Sequence, residues 1–251
     1  MSRKAVIIES SNVNGQANLP GALVDQQNWI NFLKSDLGGA WYDSEIELLS
    51  KPSSMKVEKL LDDHKDKYCF LAFSGHGSNN SIVLNENRLN YPISGLRPKS
   101  EKGTLIIDSC RGIDSARVIS FSAAKTRYLA EASEGHAVIA NSARGYSTKF
   151  GSADKRRDHH IRWNFALILA NKGVVEMYAC SKGEGANEDP NAGGYYTSLL
   201  LQSADLWQQL GGDGNIYTTK DAHNHAVSKL PPQQNPEYRP SHLAFPFAVS
   251  V

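Results

Sequence analysis

No apolar run in this 251-residue chain is long. Phe165 to Ala170 spans six residues, against the roughly 20 that a membrane-crossing helix needs. The start, Met1-Ser2-Arg3-Lys4-Ala5-Val6-Ile7-Ile8-Glu9, has basic residues but only four apolar ones before a glutamate, too few for the core of a signal peptide. Cysteine is scarce as well. Cys69, Cys110 and Cys180 form an odd set without metal-ligand spacing, which argues against a disulfide framework and suits free thiols in a reducing compartment. Charge of one sign is also lacking: Lys+Arg 27 against Asp+Glu 26 leaves a formal net charge of +1, so no global field favours nucleic acid or a cationic partner. A soluble cytoplasmic protein with no nucleic-acid or membrane partner is expected. No internal repeat is apparent, and this length suits one α/β domain.

The apolar runs that do occur are short and partly β-branched or aromatic. Ala5–Ile8, Ile46–Leu49, Tyr68–Phe73, Thr104–Ile107 and Val174–Ala179 read as interior strands. Helical patterns lie between several of them. Gly21 to Leu37 places Leu23, Gln27, Ile30 and Lys34 on one stripe, with Val24, Trp29, Phe32, Leu33 and Leu37 nearby. Ser53 to His64 carries Met55, Val57, Leu60 and Leu61 after a Pro52-Ser53-Ser54 start signal. Further helices are expected around Ile161–Ala170, Tyr195–Leu210 and Thr219–Lys229, with an apolar segment at Leu243–Val249. The early alternation of strand and helix predicts a mostly parallel sheet with helices on its faces. Between Arg111 and Arg162 the pattern loosens into a long excursion with one apolar run, Ala137–Ala140, as a candidate strand.

Two segments carry the chemistry. Phe73-Ser74-Gly75-His76-Gly77-Ser78 ends one apolar run, and Ile106-Ile107-Asp108-Ser109-Cys110-Arg111-Gly112 ends another, its cysteine 34 residues after the histidine. Strands that stop at glycine in a parallel sheet bring their last residues to one sheet end, where α/β proteins place their sites. A neutral thiol is a poor nucleophile, and a neighbouring imidazole activates it by taking its proton or stabilising the thiolate. Cys110 is thus the candidate nucleophile and His76 its acid–base partner. The glycines around His76 permit close backbone approach, so the amides of Gly77 and Cys110 are candidates for an oxyanion hole. His159-His160 and His223-x-His225 lack an accompanying cysteine or acidic triad at fixed spacing, so no metal site is assigned. Cys180 reads as core or pocket wall, and Glu184, Glu188 and Asp189 as a solvated loop.

With these motifs in view, the chain resembles the caspase-like cysteine peptidases of clan CD, family C14, on the metacaspase and bacterial-caspase branch. "FLAFSGHGS" is similar to the family's histidine motif. "LIIDSCRG" is similar to its cysteine motif, with Asp-Ser where animal caspases have Gln-Ala. "LPGALVDQQNWINFLKSDLG", "MYACSKGEGANEDPNAGGYYTSLLLQSA" and "QQNPEYRP" resemble further family segments, so the likeness extends over most of the chain outside 111–160. The resemblance implies a three-layer α/β/α sandwich with a mostly parallel central sheet. It also implies one peptidase domain: a large-subunit-like part at 1–110, a linker or insertion at about 111–160, and a small-subunit-like part at about 161–251.

The resemblance implies more on matched positions. Asp25 and Asp108 correspond to aspartates that line the primary specificity pocket of metacaspases, where two carboxylates favour Arg or Lys before the scissile bond. The family tends to mature by cleavage after the nucleophile. Arg144, Lys149, Lys155, Arg156 and Arg157 supply basic sites, and self-cleavage is expected between about residues 125 and 157. Calcium activation, known in many metacaspases, is doubtful here, because Leu89-Asn90-Tyr91-Pro92-Ile93-Ser94 lacks the acidic ligands a hard cation needs and Asp114 alone does not restore them. No other cofactor is expected. A monomer, an activating protein partner and a place in prokaryotic cell death or antiphage defence are what the likeness implies. Two alternatives stay open: a caspase-fold scaffold with little proteolysis, and a peptidase of the clostripain and gingipain group.

Overall fold

Side chains alternate along each apolar run, so an interior strand has two apolar faces and needs helices on both. The computed structural model, which describes residues 2–87, 90–112, 152–212 and 216–250, meets that need. Its strands in chain order are β1 (Arg3–Ser10), β2 (Ile46–Ser50), β3 (Tyr68–Gly75), β4 (Ser81–Val83), β5 (Asn90–Pro92), β6 (Lys102–Asp108) and β7 (Gly173–Tyr178). After these come β8 (Glu188–Asp189), β9 (Gly193–Gly194), β10 (Ile216–Thr218), β11 (Glu237–Arg239) and β12 (Pro246–Val249). The helices are α1 (Pro20–Lys34), α2 (Ser54–Asp63), α3 (Ala153–Leu169), α4 (Tyr195–Gln209) and α5 (Thr219–Lys229).

Six strands form the central sheet in the order β11-β7-β6-β3-β1-β2. All neighbours are parallel except β11, which runs antiparallel to β7. Ala5, Ile7, Phe70, Ala72, Ile106, Val175 and Met177 face one side, where Trp29, Phe32 and Leu33 of α1, Trp163 and Leu167 of α3, and residues of α4 and α5 cover them. Val6, Ile8, Leu71, Phe73, Leu105 and Ile107 face the other, covered by Val57 and Leu61 of α2. Each fully buried side chain of this kind stabilises the fold by roughly 1.5–3 kcal/mol. Trp29 and Phe70 meet edge to face at 5.2 Å, which adds to that burial. The result is the expected three-layer α/β/α sandwich.

Helix starts follow local chemistry. The Ser53 hydroxyl accepts from Lys56 N at 3.3 Å to open α2, and Thr218 with Asp221 forms a capping box before α5. Three expectations need correction. The buried face of α1 is Ala22, Asp25, Trp29, Phe32 and Leu33, whereas Leu23 is about half exposed. Its spacing of three, four, three and one is the helical stripe, with an aspartate in an apolar position. The excursion ends sooner than position 160: α3 starts at Ala153, with the Ser152 hydroxyl accepting from Lys155 N at 3.5 Å, so 153–160 is helix. Finally, the β4–β5 hairpin follows the histidine loop where no strand was read. Ala137–Ala140 lies outside the described residues.

Candidate active site

Register alone brings the two motifs together. Parallel pairing of β3 with β6 sets Phe73 opposite Ile107 and Ser74 opposite Asp108. His76 and Cys110 each follow two residues later, so both leave the sheet at its carboxyl edge on neighbouring strands. The loops touch closely: a Cβ on Gly77 would lie 2.5 Å from Ser109 Oγ and 2.8 Å from the Cys110 carbonyl. Only glycine fits that approach. Val83 N donates to the His76 carbonyl at 2.9 Å and Ser78 N to the Ser81 carbonyl at 2.7 Å, flanking a bridge between Gly77 and Ile82. The Gly77 amide stays out of that pairing.

A third loop orients the imidazole. His76 Nε2 lies 2.7 Å from the Ala17 carbonyl oxygen. A carbonyl only accepts, so Nε2 carries the hydrogen, and in the neutral ring Nδ1 keeps its lone pair. The Ala17 loop is held by Leu19 N donating to the Ser11 carbonyl at 2.8 Å and Asn14 N donating to the Glu86 carbonyl at 3.1 Å. The Cys110 thiol donates to the Ala186 carbonyl at 3.7 Å. Burial pushes this thiol above its ordinary range, and the Asp108 and Glu188 carboxylates push the same way.

The residue after Cys110 is a clamp. Arg111 is buried, stacks over the Tyr178 ring at 4.3 Å, donates from Nη1 to the Cys180 carbonyl at 3.1 Å and pairs with Glu237 at 3.0 Å. Its amide donates to the Glu184 carbonyl at 2.9 Å, and its carbonyl accepts from Gly183 N at 2.7 Å. Glu184 is no idle solvated residue: its carboxylate accepts from the Ser181 and Asn235 amides and from Asn235 Nδ2. Gln234 donates to the Ala179 carbonyl and accepts from Asn187. Cys180 is buried core, its thiol donating to the Ser109 carbonyl at 3.4 Å.

Asp25 and Asp108 converge. Asp25 is 2 % exposed and accepts from Ser74 Oγ at 2.8 Å and Gly194 N at 2.9 Å. Asp108 is 6 % exposed and accepts from the Thr197 amide at 3.0 Å and its hydroxyl at 2.8 Å. Both therefore sit at the start of α4, where unpaired amides and the helix dipole favour anions. Burial raises both carboxyls, Asp108 to about 6, and for Asp25 the neighbouring Asp108 adds to the rise. Glu188 adds further negative charge beside Asp25. No ion pair with Asp25 or Asp108 occurs among the described residues. A Cβ on Gly193 would lie 2.2 Å from Asp25 Oδ1 and one on Gly194 2.3 Å from Asp108 Oδ2, so two glycines let the backbone lie on the pair.

Other assigned residues lie elsewhere. Arg156 and Arg157 occupy the first turns of α3, and Arg156 N donates to the Ser152 carbonyl at 3.1 Å, so cleavage there requires that end to unwind. Arg144, Lys149 and Asp114 lie outside the described residues. His160 contacts Arg3, and His223 Nδ1 lies 2.8 Å from the Tyr196 hydroxyl. No helix among the described residues is long and apolar enough to cross a membrane. Sequence reasoning missed Ala17, Ser74, Thr197 and the Gly193–Gly194 turn. Ala17 acts through its carbonyl, which no side-chain pattern reports.

Comparison with known proteins agrees with this fold. The family model of the caspase domain, peptidase family C14, matches residues 2–248. No curated protein matches the chain. Among solved structures, caspase-1 from Spodoptera frugiperda superposes with a TM-score of 0.59 at 12% identity, covering 98% of this chain and 90% of that one, a likeness of fold.

Proposed function

The chain belongs to the caspase-domain family C14, a family of cysteine peptidases, and from that premise we propose that it cleaves proteins after Arg or Lys with Cys110 as nucleophile and His76 as acid and base. The observation that carries this reading is a buried carboxylate pair, Asp25 and Asp108, without a cationic partner among the described residues, at the sheet edge that also presents the histidine and cysteine. A substrate guanidinium or ammonium would complete that pair. It would replace the Gly194 amide as donor to Asp25 once the Gly193–Gly194 turn gives way. Aspartate before the scissile bond would meet repulsion from three carboxylates instead.

The chemistry follows from the local electrostatics. The raised thiol is neutral at rest, so His76 takes its proton as sulfur attacks the scissile carbonyl carbon, and the Ala17 carbonyl steadies the imidazolium that forms. The Gly77 and Cys110 amides receive the oxyanion, each such donor contributing about 3 kcal/mol. His76 then protonates the leaving amine, and water hydrolyses the thioester to regenerate the thiol. Hydrolysis of fluorogenic peptides with Arg, Lys, Asp or Leu before the scissile bond tests the reading. Turnover of the Arg and Lys peptides is expected. Preferential cleavage after Asp or Leu would overturn the pocket assignment, and no hydrolysis of any peptide would favour a scaffold role. Self-cleavage near Arg144 or Lys149 and a role in cell death or defence belong to the same proposal at the level of family analogy.

Gly77→Ala is expected to lower kcat/KM by roughly 10–100-fold, because the new methyl meets the Cys110 carbonyl and displacement of about 1 Å costs that much. Steady-state kinetics beside a circular dichroism spectrum measure it; unchanged kinetics would remove Gly77 from the site.

A further inference from the structure

A cavity of about 280 Å³ lies on the other side of the cysteine loop from the carboxylate pair, and its walls are basic. Arg97, Arg111, Lys182 and Arg239 line it against one carboxylate, Glu176. Arg97 pairs with Glu176 at 2.8 Å, and Arg111 and Arg239 share Glu237. Lys182 has no acidic partner among the described residues. Four cations against two carboxylates leave a net charge of about +2 around a recess. A second observation is independent of that sum: Arg111 is 2 % exposed, and its Nε makes no hydrogen bond among the described residues. A buried guanidinium donor left unpaired is costly, and an oxyanion satisfies it.

The walls also have a mechanical connection to the candidate site. Asn79 belongs to the loop after His76, Arg111 follows Cys110, and Lys182 precedes Gly183, whose amide donates to the Arg111 carbonyl and to Asn79 Oδ1 at 3.2 Å. The histidine loop, the cysteine loop and the Lys182–Gly183 loop therefore meet at this recess. We propose that it binds a compact phosphate-bearing small molecule, of diphosphate size, whose binding holds the histidine and cysteine loops in their catalytic arrangement. The volume is just below the roughly 300–1,000 Å³ of sites for drug-sized ligands, which suits a diphosphate group better than a whole cofactor. Arginine forks and a lysine point charge match phosphate oxygens. The regulatory half rests on the peptidase reading, whereas the binding half does not.

Isothermal titration calorimetry of the full chain with inorganic pyrophosphate, and separately with a nucleoside diphosphate, tests the binding. Saturable one-to-one binding is expected, weakened at least about tenfold in Lys182→Glu and retained in Lys182→Arg. Lys182 is exposed, so its replacement leaves the core intact. Tighter binding of the nucleoside diphosphate would assign the phosphate to a nucleotide, and tighter binding of pyrophosphate to an inorganic source. No saturable heat with either, or equal binding by Lys182→Glu, would overturn the site. Peptide hydrolysis in parallel should rise severalfold with pyrophosphate in the wild type but not in Lys182→Glu, with basal rates equal. Binding without any change of rate would overturn the regulatory half alone. A chain inactive on all peptides that still binds would count against the peptidase reading, not the site.

Discussion

Alanine in place of Cys110 is expected to lower kcat/KM on an Arg peptide by at least about a thousandfold, and alanine in place of His76 by nearly as much. The reason is the thiol's environment. Burial and two nearby carboxylates hold it neutral, so little thiolate exists near neutral pH unless the imidazole accepts the proton during attack. The two losses should therefore fail to add, the double variant being no slower than Cys110→Ala, because the residues act as one unit. Thermal unfolding should stay close to wild type, since neither side chain belongs to the apolar clusters. Alkylation supplies a readout without turnover: Cys69 and Cys180 are buried and their thiols raised by burial, so iodoacetamide should label Cys110 first. Activity above about a tenth of wild type in Cys110→Ala would sink the assignment.

Asp25→Asn should abolish most cleavage after Arg, by roughly a hundredfold or more, and at the same time stabilise the protein. A guanidinium facing one carboxylate in place of two loses a charge-assisted partner in a buried site, which costs several kcal/mol. The stabilisation comes from linkage. A carboxyl whose folded pKa lies above its unfolded value binds more protons folded than unfolded, so ionising it lowers stability as pH rises. For Asp108 the rise from 3.8 to about 6 corresponds to roughly 3 kcal/mol, lost between about pH 4 and pH 6. Asp25 is raised in the same direction by burial and by Asp108. Removing its charge relieves both, so the melting temperature of Asp25→Asn should exceed wild type at pH 8 and match it near pH 4. Ser74 can turn its hydroxyl to accept from the new amide while Gly194 still donates to the remaining oxygen. For wild type, kcat/KM on Arg peptides should rise as pH increases through about 6, as Asp108 ionises. A lower melting temperature at pH 8 would mean that the carboxylate stabilises α4 more than it repels Asp108.

Much of the fold was legible because sheet interiors leave a local trace. Short β-branched and aromatic runs marked all five parallel strands, and the motifs at the ends of β3 and β6 followed from glycine after an apolar run. The corrections came where a pattern had two readings. Asp25 lies in the stripe with Ala22, Trp29 and Phe32, yet the residue type suggests solvent; burial is decided by what packs against α1, and that is Gly193–Gly194 from 168 residues further on. The hairpin of β4 and β5 escaped because three-residue strands carry too little periodicity to register.

From the sequence alone came the five parallel strands, the glycine-flanked histidine, the cysteine and two aspartates at matched positions. Those are properties of residue type and spacing, which a chain holds before it folds. The tertiary structure decided which partners complete them. The Ala17 carbonyl fixes the imidazole, the N-terminus of α4 receives the carboxylates, Arg111 clamps the cysteine loop, and a basic recess opens behind it. Such contacts join segments far apart in the chain, several of them through backbone groups that every residue type possesses, so their chemistry exists only once the sheet has set the register.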